Sequence, residues 1–168
     1  GKEANDAWCE MFKKYRAEFP EMAEKWDVFY ENKLPDLLNN EDFWTYEGDL
    51  ATRASSEKVL NKLSKIVPNL FGGSADLGPS NKSVMKDREY YSPENPSGSN
   101  VHFGIREFAM TAMANAIALH GGLRPYIAGF FVFSDYMKAA MRISAISELP
   151  VISILTHDSI GVGEDGPT

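Results

Sequence analysis

The chain has 168 residues, of which 43% are hydrophobic and 24% charged, enough for one globular domain plus an extension. No apolar run approaches the roughly 18 residues of a membrane span; the longest clean one is "YIAGFFVF", Tyr126 to Phe133, so no membrane contact is expected. The net charge of −7 sits in the first fifty residues, which hold 6 Lys+Arg against 13 Asp+Glu, whereas residues 51–168 hold 11 of each; without a basic stripe, no nucleic-acid binding is expected.

The chain opens on Gly1 rather than Met and stops at "GEDGPT" short of a finishing element, so a piece of a longer protein is expected. Lys2 and Glu3 lead into a charged helix, not into the apolar core of a signal peptide. Cys9 is the single cysteine, which excludes an intramolecular disulfide and a Cys-based zinc site and suits a reducing, cytoplasmic compartment. Trp8, Phe12, Tyr15 and Phe19 share one face of an amphipathic helix. Pro20 ends that helix or starts the next, in which Met22, Trp26 and Phe29 repeat the pattern. These aromatics read as anchors of a helical, acidic arm on a neighbouring domain. "NKLPDLLNNEDFWTYEGD" reads as a linker, and a boundary is placed near residue 50, giving an arm over 1–50 and a domain over 51–168.

From Ala51 the texture changes. Val59, Leu60, Leu63 and Val67 form a helical stripe, with Thr52 or Ser55 as N-cap and Pro68 as the stop. An apolar run near Leu70 breaks into the polar loop "GGSADLGPSN", and "SVMKDREYYSPENPSGSN" follows without periodicity. "NVHFGIREFAM" continues into an alanine-rich helix closed by Gly121 and Gly122. Strands are predicted near Ile127 and Ile152, separated by a helix with Ser134 as N-cap. Helix alternating with continuously apolar strands predicts an α/β fold, a parallel sheet with helices on both faces. Asp76, the Phe130–Tyr136 cluster and His157-Asp158 lie just past strand ends, the rim where such sheets bind ligands. Glu107, in the first turn of an apolar helix, joins them. By itself it reads first as a partner for Arg106 or as a charge on the helix dipole, and only second as a chemical group. Read alone, Phe130, Phe133 and Tyr136 are core rings, Phe131 is plain core, Asp76 is a turn residue, Arg53 is a solvated helix-start charge and His157 is a histidine at a strand end.

"GGSADLGPSN", "HFGIREFAM", "FFVFSDY" and "THDSIGVGEDGPT" resemble consecutive motifs of the transketolases, thiamine-diphosphate enzymes of the pentose phosphate pathway. The resemblance covers residues 51–168 in order and matches the N-terminal part of their pyrimidine-binding domain; 1–50 resembles the helical linker before it. It implies thiamine diphosphate as cofactor, with Glu107 as the catalytic carboxyl sharing a proton with the pyrimidine nitrogen. Phe133 then stacks on the ring, Phe130 and Tyr136 complete the slot, and Asp76 helps hold the cofactor. It implies further that Arg53, Ser80 and His157 grip the phosphate of a sugar-phosphate substrate and that Asp165 reads a sugar hydroxyl. Phe108 stands where relatives often carry His.

The Gly-Asp-Gly segment and paired asparagine that hold the diphosphate and its divalent metal, Mg or Ca, are missing. "EGDL" and Asn39-Asn40 stand in the wrong order. The resemblance therefore places that metal on a domain outside this chain and the site between the subunits of a homodimer, with this segment inactive alone. Ala109, Ala112 and Ala116 serve equally a dimer contact or an internal one. Competing readings are dihydroxyacetone synthase, deoxyxylulose-phosphate synthase, and a non-catalytic interaction module of the same fold. No Gly-x-Ser-x-Gly elbow supports a hydrolase. An incomplete sheet leaves apolar edges, so the isolated segment is expected to aggregate.

Overall fold

Residues 1–31 and 34–158 are described by the computed structural model, and the chain divides into two units, Gly1–Lys33 and Leu34–Thr168. In the first, α1 (Lys2–Glu18) and α2 (Pro20–Tyr30) form a hairpin, with Pro20 in the first turn of α2, where its missing N–H costs nothing. The predicted aromatics pack on one another: Trp8 stacks on Phe12 at 5.0 Å and Trp26 tilts against Phe12 at 5.1 Å, ring centre to ring centre. Arg16 grips both carboxylate oxygens of Asp27 at 2.7 and 2.5 Å, and that bonding raises the Arg16 pKa above its ordinary value.

The second unit begins with a short helix, α3 (Glu41–Trp44), inside the stretch read as linker; the Phe43 N–H donates to the Asn40 side chain. Next comes α4 (Thr52–Ile66), with Leu60 and Val67 buried as the stripe requires. Neither Thr52 nor Ser55 caps it: Ala51 holds the cap position and no side chain bonds the first turn. The remaining elements are β1 (Leu70–Ser74), α5 (Gly78–Asn81), β2 (Asn100–His102), α6 (Glu107–His120), β3 (Arg124–Phe130), α7 (Ser134–Ile146) and β4 (Ile152–Thr156). Phe133 rather than Ser134 sits at the α7 cap position, again without a side-chain bond. No helix among the described residues is long and apolar enough to cross a membrane.

The four strands form one parallel sheet in the order β2-β1-β3-β4. β2 was not predicted, because three residues are too few to show a period. Gly72 and Gly73 in β1 are required by closeness: a Cβ on either would lie 2.0 Å from a neighbouring carbonyl oxygen, that of Tyr126 or Val101. Alternation along β3 feeds two cores. Ile127 joins Phe103, Met110, Ala114 and Met137 beneath α6 and α7, whereas Tyr126 joins Leu60, Val67, Leu70 and Met85 beneath α4. Two expectations fail here. β4 is an edge strand rather than a buried one, with Ile152 48% exposed, and Phe131 is 52% exposed, outside the core.

The aperiodic stretch before β2 is pinned by polar side chains. Asn100 accepts the Met85 N–H at 3.0 Å and donates to the carbonyls of Met85 and Arg88 at 2.9 and 2.7 Å. The Tyr126 hydroxyl donates to the Ser83 carbonyl at 2.9 Å, and burial pushes its pKa well above the ordinary phenol value. Arg88 donates to the carbonyls of Pro68, Val67 and Leu70 at 2.9, 2.9 and 3.1 Å, and also to that of Ser64. It thereby satisfies groups left over where α4 ends. Arg88→Met should destabilise the fold by about 3 kcal/mol or more, since several charge-assisted bonds vanish together. Urea denaturation checks this, and a loss under about 1 kcal/mol would mean that water replaces the clamp.

Glu57 lies 2.9 Å from Lys86 Nζ and 3.4 Å from Lys82 Nζ. The Lys86 hydrogen bond leads in holding its carboxyl below the usual range, against partial burial. A lowered folded value means stabilisation that is present above the ordinary carboxylate value, about 4.3, and lost as pH falls through the folded one. Glu57→Gln should thus cost up to about 1 kcal/mol at neutral pH and progressively less as pH falls through the folded value, read from urea midpoints across the acid range.

Candidate functional site

All four strands run in one direction, so their carboxyl ends line one rim. After β1 the chain turns through Asp76, held in the left-handed region at φ 62°. After β2, Gly104 at φ 68° and a 2.8 Å bond from the Arg106 N–H to the Gly104 carbonyl turn the chain so that α6 starts on Glu107. After β3, a 3-10 turn over Phe131–Phe133 delivers Phe133 and then Tyr136. After β4 comes His157, also left-handed at φ 59°. Left-handed non-glycine residues are costly and collect at functional sites; two of the four here lie on this rim.

Asp76, Glu107, Phe133 and Tyr136 line one cleft of about 430 Å³, completed by Ala75, Leu77 and Ile105. Among the described residues the Glu107 carboxylate has no ion pair and no side-chain hydrogen bond. Arg106, its expected partner, donates instead to the Phe103 carbonyl at 3.2 Å. The dipole of α6 still favours a negative charge at this first turn. Phe130 does not line the cleft. Its ring lies 5.8 Å from that of Phe133, nearly parallel, and 3.8 Å from the imidazole of His157.

A second cluster gathers at the His157 end. Arg53 Nη1 is 2.9 Å from His157 Nε2 and donates to the Ser80 carbonyl at 3.2 Å. Thr156 Oγ1 lies 2.8 Å from His157 Nδ1. The structure therefore brings Arg53, Ser80 and His157 together from positions up to 104 residues apart in sequence. Asp165 lies outside the described residues. A hollow of about 240 Å³ adjoins through Asp76, with His102 stacked on Tyr90 at 3.9 Å. Sequence reading missed Thr156, Tyr90, His102 and Ile105. The motif "HFGIREFAM" contained Ile105 and His102, but nothing in its pattern told lining residues from packing ones. Among the described residues no three His, Cys, Asp or Glu side chains lie close enough to hold a metal.

Helices over both faces of a parallel sheet define an α/β domain, and the carboxylate, aromatic rings and basic cluster on its carboxyl rim mark the candidate site. The chain belongs to the family described as transketolase, pyrimidine binding domain, which it matches over residues 48–168. It is 51% identical over 170 residues to a transketolase of Staphylococcus epidermidis, a match covering 99% of this chain and 25% of that protein. A solved transketolase from Leishmania mexicana superposes with a TM-score of 0.87 at 37% identity, covering 99% of this chain and 25% of that one. The Pichia stipitis transketolase in complex with sedoheptulose 7-phosphate gives the same TM-score and identity, covering 99% and 26%. The chain thus spans about a quarter of the length of the relatives it matches.

Proposed function

We propose that this chain forms the linker (1–50) and part of the pyrimidine-binding domain (51–168) of a transketolase that moves a two-carbon ketol unit from a ketose phosphate to an aldose phosphate. The observation carrying this reading is the Glu107 carboxylate, unpaired among the described residues, in a cleft walled by Phe133 and Tyr136. The donor set suits the aminopyrimidine of thiamine diphosphate: a flat heteroaromatic ring needs an apolar, aromatic slot and one group able to share a proton with a ring nitrogen. When bound, that cofactor supplies the nucleophilic carbon that carries the ketol unit.

Glu107 is the proton-sharing group. It is half-buried at a helix start and shares the cleft with Ala75, Leu77 and Ile105. Phe133 and Tyr136 orient the ring and exclude water from one side, Phe130 backs Phe133, and Asp76 shapes the opposite lip. Arg53, Ser80 and His157 take the substrate phosphate, because an arginine fork matches phosphate oxygens two at a time. Asp165 is assigned to a sugar hydroxyl. The divalent metal is assigned to a domain outside this chain, because the sequence lacks the Gly-Asp-Gly segment and paired asparagine that the family resemblance calls for. On α6, Ala116 is exposed with Phe108 and Met113, opposite buried Met110 and Ala114, and this outward face is proposed as the homodimer contact.

Glu107→Ala in the full-length enzyme should lower turnover of xylulose 5-phosphate with ribose 5-phosphate by about 10²–10⁴-fold while the thermal melt and dimerisation persist. Unchanged turnover would make the chain a non-catalytic module, and turnover with pyruvate alone would move it to another branch of thiamine-diphosphate enzymes.

A further inference from the structure

α6 and α7 pack against each other, and both start on the rim and run away from it, because each follows a strand of the same direction. α7 brings Met137, Ala140 and Met141 to the packed side and then Ser144; α6 brings Met110 and Ala114 and then Asn115, which is 5% exposed. Thr111, also buried on α6, turns its hydroxyl to the Glu107 carbonyl of its own helix. Asn115 instead reaches across: its Nδ2 donates to the Ala140 carbonyl at 2.9 Å, and Ser144 Oγ lies 2.5 Å from its Oδ1. A carbonyl only accepts, so the amide NH2 must face Ala140. The amide oxygen also only accepts, so Ser144 donates to it. Among the described residues, every side-chain hydrogen bond between α6 and α7 passes through Asn115. Apolar contacts have no direction and tolerate sliding, whereas a buried polar pair holds one register. A shift of one turn would set the amide oxygen against Ala140, or against Glu148 past the end of α7, in place of a hydroxyl.

We infer that Asn115, held by Ser144, is a positioning residue that sets the register of α6 against α7 and so the placement of the Glu107 carboxyl relative to the Phe133 and Tyr136 rings. Asn115 follows Glu107 on the same helix, roughly 12 Å further along it, and Ala140 lies one turn past Tyr136. The two walls of the cleft therefore ride on two helices tied at one polar contact. For its effect on a cofactor the inference rests on the roles proposed above for Glu107, Phe133 and Tyr136. Arg53, Ser80 and His157 stand on α4, on α5 and after β4, so the basic end of the rim is independent of this register.

The test uses the full-length enzyme and the double variant Asn115→Leu/Ser144→Ala, which removes both side-chain partners together and leaves neither unpaired, so the thermal melt should hold or rise. Its crystal structure should show α6 moved along α7, with Glu107 displaced from Phe133. Calorimetry should read thiamine diphosphate binding weakened about tenfold, and kcat should fall about as much, since a 1 Å misplacement can cost up to about 10²-fold. KM for the ketose phosphate should stay within about twofold, the split expected when one end of a site moves. Ser144→Thr keeps the hydroxyl and should keep wild-type binding and turnover. An unmoved Glu107 with unchanged cofactor binding overturns the inference, and so does a ketose phosphate KM that rises in step with the cofactor constant, which would mean general loosening. Should the double variant fail to fold, Ser144→Ala alone should weaken cofactor binding about threefold, and unchanged binding there overturns the inference too. Wild-type enzyme that binds thiamine diphosphate but turns over no sugar phosphate would overturn the proposed reaction alone; the calorimetry and the displacement of α6 would still decide the register.

Discussion

Parallel alignment of the four strands is the constraint from which the rest of the domain follows. Parallel neighbours cannot be joined by a tight turn; each needs a crossover, and here the later crossovers carry the helices α6 and α7. Those helices and α4 cover the sheet, which divides its side chains into two cores. The same alignment sends every carboxyl end to one rim. Reversing a single five-residue strand would move its following residue roughly 16 Å, to the far side of the sheet. Asp76, Glu107, Phe133 and His157 each follow a different strand, so none could reach the others without that common direction.

The rim is chemically polarised. At one end a carboxylate stands without a partner among the described residues, in a mostly apolar cleft; at the other a guanidinium and an imidazole are already bonded to each other. An aromatic row joins them, with ring centres separated by 6.3 Å from Tyr136 to Phe133, 5.8 Å to Phe130 and 3.8 Å to His157. Phe130 therefore has two neighbours with different work. It backs the ring that faces the cleft and also supports the imidazole of the basic cluster. A substitution there would disturb both ends of the rim, whereas Tyr136 touches only one.

Much of the order behind the rim comes from polar side chains in segments with no periodicity. Arg88 closes the end of α4, Asn100 ties the preceding loop to β2, and the buried Tyr126 hydroxyl reaches across to Ser83. Each side chain makes bonds to backbone groups that would otherwise be buried without partners. A hydropathy pattern records what is apolar and how often it recurs. It does not record which carbonyl an arginine will meet, and so this framework was invisible before folding.

The sequence by itself determined the class of fold, the order of the longer elements and the four motifs, because apolar periodicity, glycine placement and helix stops are local and survive in the linear text, whereas the short α3 and β2 left no such mark. It also singled out Glu107, Phe133, Tyr136 and Arg53 as residues of interest. Only the tertiary structure decided which of these face one cleft. It placed Phe130 behind the cleft, paired Arg53 with His157, brought Thr156 to the other imidazole nitrogen, left Phe131 and Ile152 in solvent, and denied Glu107 its neighbour Arg106. Those outcomes depend on strand direction, on sheet order and on a turn at Gly104. Each arises from contacts between residues far apart in the chain, and no local pattern encodes such contacts.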